Sequence, residues 1–155
     1  MDTEALKIPK KKKLVALWVE AEGQVIASVF LQLQSDAHSG EETPEDIFNR
    51  PDTFIVVMKE DPQEARFYHM GRITRVEYHE DAPPESSSEL SELPCRLTLL
   101  DGSQVEGTIR EFLLPEHSRL YDYINKSEKR FVKLYESEEQ VILVNKDHII
   151  NIAPK

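Results

Sequence analysis

The chain has 155 residues, 39% of them hydrophobic and 31% charged, with a formal net charge of −10. That length suits one ordinary domain or two small modules and is short for a two-domain enzyme with a lid. No apolar run approaches the roughly 18 residues of a membrane span, and the single cysteine, Cys95, allows neither an intramolecular disulfide nor a cysteine-based zinc site, which fits a cytoplasmic setting.

Charge is uneven along the chain: residues 1–13 carry +3, 14–82 carry −9, 83–94 carry −3 and 95–155 carry −1. An acidic body repels phosphates within a Debye length, roughly 8–10 Å, so nucleic acid is an unfavourable partner. Residues 1–13 read as a basic, flexible arm. Its run Lys10, Lys11, Lys12 and Lys13 precedes the β-prone LVALWV. The lysines read first as charges that guard this segment against edge pairing. The second reading is an arm that touches nucleic acid, anionic lipid or an acidic partner surface.

Residues 14–79 form a first unit of about five short strands: Leu14–Ala21, Gln24–Leu33, Thr53–Met58, Arg66–Met70 and Arg72–Tyr78. Trp18, among Val15, Leu17 and Val19, suggests a strand buried on both faces. One helical turn is marked within this unit. Thr43 is the N-cap, Pro44 suits the first helical position, Glu45 and Asp46 complement the positive helix end, and Asn49 closes the turn after Phe48 in a left-handed conformation.

Residues 80–94, EDAPPESSSELSELP, have only Leu90 and Leu93 as large apolar side chains and read as an acidic linker. Residues 95–155 form a second unit. Leu97 and Leu99 alternate with polar residues, Asp101-Gly102 supplies a turn, and Val105, Gly107 and Ile109 alternate again. Strands follow at about 131–136, 140–145 and 148–152, with a helical turn over Ser118 to Asn125. Ile47, Phe48, Tyr123 and Ile124 either plug the end of each unit or face one another across a pseudo-twofold.

The two units repeat the same order of elements. Asp46 and Asn49 are three residues apart, as are Asp122 and Asn125, and Asn49 precedes Ile73 by 24 residues, as Asn125 precedes Ile149. The extra residues of the first unit fall in the polar stretch SDAHSGEETPE, where an insertion costs little. The predicted class is all-β: two small barrels related by internal duplication, each with one short helical turn.

LTLLDGSQVEGTIREF followed by VILVNKDHIINI resembles the two-part signature of Sm-like proteins: strand, Asp-Gly, a strand with an internal glycine, then an apolar strand, a tight turn and a terminal strand. The first half carries it more weakly, with Ala27 in place of Gly107. The arrangement also resembles a group of uncharacterised bacterial small-barrel proteins. The resemblance implies Sm-like barrels in tandem, and the internal glycine implies a strongly bent strand. In Sm-like proteins that bind RNA, an Asp and Asn of the first motif and an Arg-Gly of the second make the nucleotide pocket. Here Asn145-Lys146 and Met70-Gly71 stand where Arg-Gly would be, so the cationic stacking group is missing. Asp122 and Asn125 are the nearest polar pair, but they lie beyond Phe112 and read as helix caps.

No P-loop, dinucleotide fingerprint, nucleophile elbow or HExxH occurs. The histidines show no ligand spacing, although His69 and His79 fall on neighbouring strands. Cys95 reads as a packed small residue and Arg72 with Arg75 as solvent-facing. Phe67 and Tyr68 read as core rather than as a stacking platform. The expectation is a non-enzymatic protein-interaction or scaffold module without a catalytic centre, cofactor or metal. It would bind a protein, and further copies of itself, through exposed strand edges. The alternative is an RNA-binding Sm-like adaptor. Residues singled out for interaction are Lys10, Lys11, Lys12, Lys13, Arg72, Arg75, Asp122 and Asn125.

Overall fold

The computed structural model describes residues 10–36, 38–81, 90–113 and 119–155. The strands are β1 (Lys10–Val19), β2 (Gly23–Gln32), β3 (Phe54–Glu60), β4 (Gln63–His69), β5 (Ile73–His79), β6 (Ser91–Leu99), β7 (Gln104–Glu111), β8 (Phe131–Tyr135), β9 (Gln140–Asn145) and β10 (Ile149–Pro154). Two short helices, α1 (Pro44–Phe48) and α2 (Leu120–Lys126), complete the regular structure together with 3-10 turns at Met70–Arg72 and Lys146–His148. The all-β class holds.

All ten strands belong to one antiparallel sheet, in the order β10-β6-β7-β8-β9-β5-β1-β2-β3-β4. The halves are therefore joined by a strand pair. β5 and β9 run together from Arg75↔Val144 to His79↔Gln140. Within each half the order is the same, β5-β1-β2-β3-β4 and β10-β6-β7-β8-β9. Local detail repeats as well. His69 and Asn145 each accept, through the side chain, the backbone N–H two residues on, and so cap the two 3-10 turns. One residue into β5 and one residue into β10 the register slips, at Thr74 and at Ile150.

The first core gathers Val15, Leu17, Val29, Phe48, Val57 and Val76 with their neighbours, and it also takes Phe131, Val141 and Leu143 from the second half. The second core is built on Cys95, Leu97, Leu99, Ile109, Leu134 and Val144. β9 thus serves both cores with alternate side chains, which is why Val141 to Asn145 is buried without interruption. Ile47 and Phe48 belong to the first core and Tyr123 and Ile124 to the second, so the four side chains do not form one common cluster. Phe48 meets the Phe131 ring edge-on at 5.6 Å between centroids.

Several local expectations hold and several are corrected. Gly102, at φ +85°, makes the β6–β7 turn. Thr43 forms a full capping box: its N–H donates to Asp46 Oδ2 at 2.8 Å, and its Oγ1 accepts the Asp46 N–H at 3.3 Å. Asn49 is not left-handed, with φ −99° and ψ 9°, because its side chain has other work across the halves. The basic arm does not extend to residue 13. Lys10–Lys13 open β1 and pair with Gln32 to Val29, since β2 is long enough to match them; residues 1–9 lie outside the described residues. The linker ends earlier than residue 94. Ser91–Pro94 pair with Glu111 to Thr108, because the alternation of Cys95, Leu97 and Leu99 already starts at Leu93. Residues 82–89 and Ser118 lie outside the described residues. Trp18 is half-buried, with the Arg75 guanidinium 3.9 Å above its ring.

Candidate interaction surface

Among the described residues two strands pair on one side only, β4 beside β3 and β10 beside β6. Such edges present backbone donors and acceptors to whatever can form a further strand. The face next to the β4 edge is apolar. Val56 lies opposite Phe67 and Phe54 opposite His69, so all four side chains share one face. Phe54 is 55%, Val56 40% and Phe67 74% exposed. The strip is ordered from beneath and beside. Phe54 and His69 stack edge-on with centroids 5.2 Å apart, and the His69 ring is held by the Gly71 N–H at 3.0 Å. Tyr68, on the buried face, donates its hydroxyl proton to Glu22 at 2.7 Å. Burial first, and the Glu22 contact second, push the Tyr68 pKa up. Arg66 Nε donates to Glu64 at 2.9 Å along the rim.

The β5–β9 junction shows how this sheet joins strand to strand when both partners are present. Asn49 at the end of α1 donates from Nδ2 to Glu45 O at 3.0 Å and to Phe131 O at 3.3 Å, while its Oδ1 accepts the Phe131 N–H at 2.8 Å. One amide thereby clasps the start of β8 to the other half. Lys129 bonds Glu45 at 2.9 Å, and Lys133 lies 3.1 Å from Glu80 and 3.9 Å from Glu45. Burial pulls the Lys133 ammonium down, but these carboxylates outweigh it and its pKa ends raised.

The residues singled out from sequence are scattered. Lys11 pairs with Glu41 along β1. Arg72 is exposed and 3.3 Å from Glu20. Arg75 is packed rather than solvent-facing: its side chain is 13% exposed, 3.1 Å from Glu77 and 3.2 Å from Ser103 Oγ, because it must cover Trp18. Asp122 is half-buried in the first turn of α2, and Asn125 is exposed near the helix end with Nδ2 donating to Tyr121 O at 2.8 Å. Lys11 and Lys13 of β1 line a polar hollow together with Glu41, Glu42, His79 and Glu80, and Arg72, Arg75, Asp122 and Asn125 are not among its lining residues.

Other chemistry-bearing groups are structural. Cys95 is fully buried, and burial pushes its thiol up to about 11. His148 is buried, within 2.8 Å of Gly71 O and 3.3 Å of Thr74 Oγ1. Among the described residues no cluster of three or more His, Cys, Asp or Glu is arranged to hold a metal ion.

Sequence reasoning overlooked Phe54, Val56 and Phe67. Phe67 and Tyr68, which as strand neighbours point to opposite faces, both read as core from sequence, and only Tyr68 is buried. The usable signal was the parallel order of elements in the two halves, in which Phe67 stands two residues before His69 as Leu143 stands two residues before Asn145. Set against known proteins, the chain matches no family model, no curated protein and no solved structure.

Proposed function

We propose that the protein is a non-enzymatic interaction module made of two duplicated Sm-like units, and that it binds a polypeptide along the β4 edge. The observation that carries this reading is the coincidence of a strand that, among the described residues, pairs on one side only with the exposed Phe54, Val56 and Phe67 beside it. A strand added to an edge gains main-chain hydrogen bonds, and side-chain pockets on the adjoining face give it selectivity. Burying one such aromatic contributes about 1.5–3 kcal/mol, and apolar groups gathered beside an edge are characteristic of protein contacts. The repeated strand order, the paired 3-10 turns and the matching register slips support duplication. An RNA adaptor has less support, since Lys11 and Arg75 are engaged by carboxylates, as is Arg66 at the rim of the strip, whereas a stacking platform needs a cationic track beside its rings.

A photo-crosslinking residue placed at position 67 tests this reading, with Lys59 as the control position, in extracts of cells that express the protein. Discrete polypeptide adducts from position 67 and none from position 59 support it. Equal labelling from both positions, or adducts to RNA alone, overturns it.

A further inference from the structure

The β4 strip has buried counterparts inside the same molecule, and they identify its occupant. Phe54 lies opposite the capping residue His69 as Phe131 lies opposite the capping residue Asn145. Counting back from those caps, Phe67 corresponds to Leu143 and Ala65 to Val141. Phe131, Val141 and Leu143 are all fully buried, closing the first core from the second half. Their counterparts Phe54, Ala65 and Phe67 are on the surface. The second core, conversely, has no such cover among the described residues. Leu93, Leu113, Leu120, Ile124, Ile149 and Ile152 line its flank only partly buried, whereas Ile73 and Val76, the counterparts of Ile149 and Ile152, are fully buried.

We infer that the occupant is a second copy of this chain, with β4 of one copy pairing antiparallel to β10 of the next as β9 pairs with β5 within each copy. The inference rests on the β4 strip being a docking surface and names its partner. Transferring the β5–β9 register sets Asn151 opposite Tyr68, Ile152 opposite Phe67 and Lys155 opposite Glu64, which now pair with Glu106 and Arg66 and would join one mixed-charge rim. Asn125 then stands to the Phe54 backbone as Asn49 stands to that of Phe131. Asn49 and Asn125 already make the same bond to the carbonyl four residues back. The ionic contact of Glu45 with Lys133 is replaced by Tyr121, 76% exposed, against Val56, 40% exposed, so two surface apolar groups cover each other. Pro154 stands where Tyr78 does in β5 and has no N–H to give, so the intermolecular ladder is shorter than the internal one and association is concentration-dependent. A contact between two different edges is heterologous: it repeats, and it ends in a closed ring or an open filament.

Light scattering on the full chain with two single-edge variants tests this. Phe67→Glu spoils the β4 side and Tyr121→Glu the opposite side; both positions are on the surface, and unchanged urea midpoints confirm that the variants fold. The wild type should rise with concentration above twice the 17.9 kDa of one chain. Each variant alone should stay at one chain mass, and an equimolar mixture should give a twofold mass and nothing larger, because one good edge of each kind remains. A wild type that stays monomeric at the highest concentration reached overturns the inference, as does Tyr121→Glu retaining the wild-type mass. Either result leaves the β4 edge free to bind another polypeptide, which the crosslinks from position 67 judge separately.

Discussion

Asn49 is a side chain whose removal should loosen the joint between the halves. Its amide satisfies the N–H and C=O of Phe131, a residue with no exposed surface, and one carbonyl of α1. Replacing it with alanine leaves a partly buried N–H without its acceptor, at a cost of about 1–3 kcal/mol, and forfeits the net worth of the remaining bonds, about 0.5–1.5 kcal/mol each. A total loss of about 3 kcal/mol is expected. For a chain of this size that lowers Tm by about 6–12 °C. Urea denaturation followed by Trp18 fluorescence measures the loss at equilibrium. Asn49→Asp should be no better than alanine, because a carboxylate accepts the Phe131 N–H but repels its carbonyl. Asn125→Ala, at the exposed counterpart, should leave the monomer's midpoint unchanged. A loss below about 0.5 kcal/mol for Asn49→Ala, or equal losses at the two positions, would refute the view that one asparagine holds a formed joint and the other an unformed one.

Three further outcomes are expected. Gly107→Ala should destabilise the fold by about 1–3 kcal/mol, since a Cβ there would lie 3.0 Å from Tyr135 O and 3.1 Å from Leu134 Cβ; thermal melting reads the loss. Asp46 should make stability acid-sensitive. Burial raises its carboxyl, but the Thr43 N–H and His38 outweigh that and hold it below the ordinary value of 3.8. Its contribution is therefore complete above that value and lost as pH falls through the lowered one, so the urea midpoint should drop in this window, less so in Asp46→Asn. Cys95 should resist maleimide in the native protein at pH 8 and react at once in urea, given a buried thiol with its pKa near 11.

Local structure was legible where one residue type answers one backbone need. Asp101-Gly102 announced its turn, Thr43-Pro44 its helix start, and the alternation of Leu97, Leu99, Val105 and Ile109 its hairpin, and each is present. Boundaries slipped where alternation faded into polar sequence, at Lys10–Lys13 and at Ser91–Pro94, because pairing with a longer neighbour extends a strand past its apolar residues. The junction of β5 with β9 was the larger omission. Strand pairing between distant segments leaves no local mark, yet the unbroken apolar run from Val141 to Val144 is what a strand covered on both faces requires. The candidate surface was missed for a related reason: a large apolar residue two positions before a turn cap is core in one half and surface in the other, as Leu143 and Phe67 are.

Backbone amide exchange as a function of protein concentration tests the central claim, that a joint already made between β5 and β9 is offered again between β4 and β10. In dilute solution the amides of the β5–β9 ladder should exchange slowly and those on the open sides of β4 and β10 fast. Raising the concentration should protect β4 and Ile152 together, with β9 unchanged. Exchange in β9 as fast as in β4, or protection of β4 and β10 that never changes with concentration, would contradict the account.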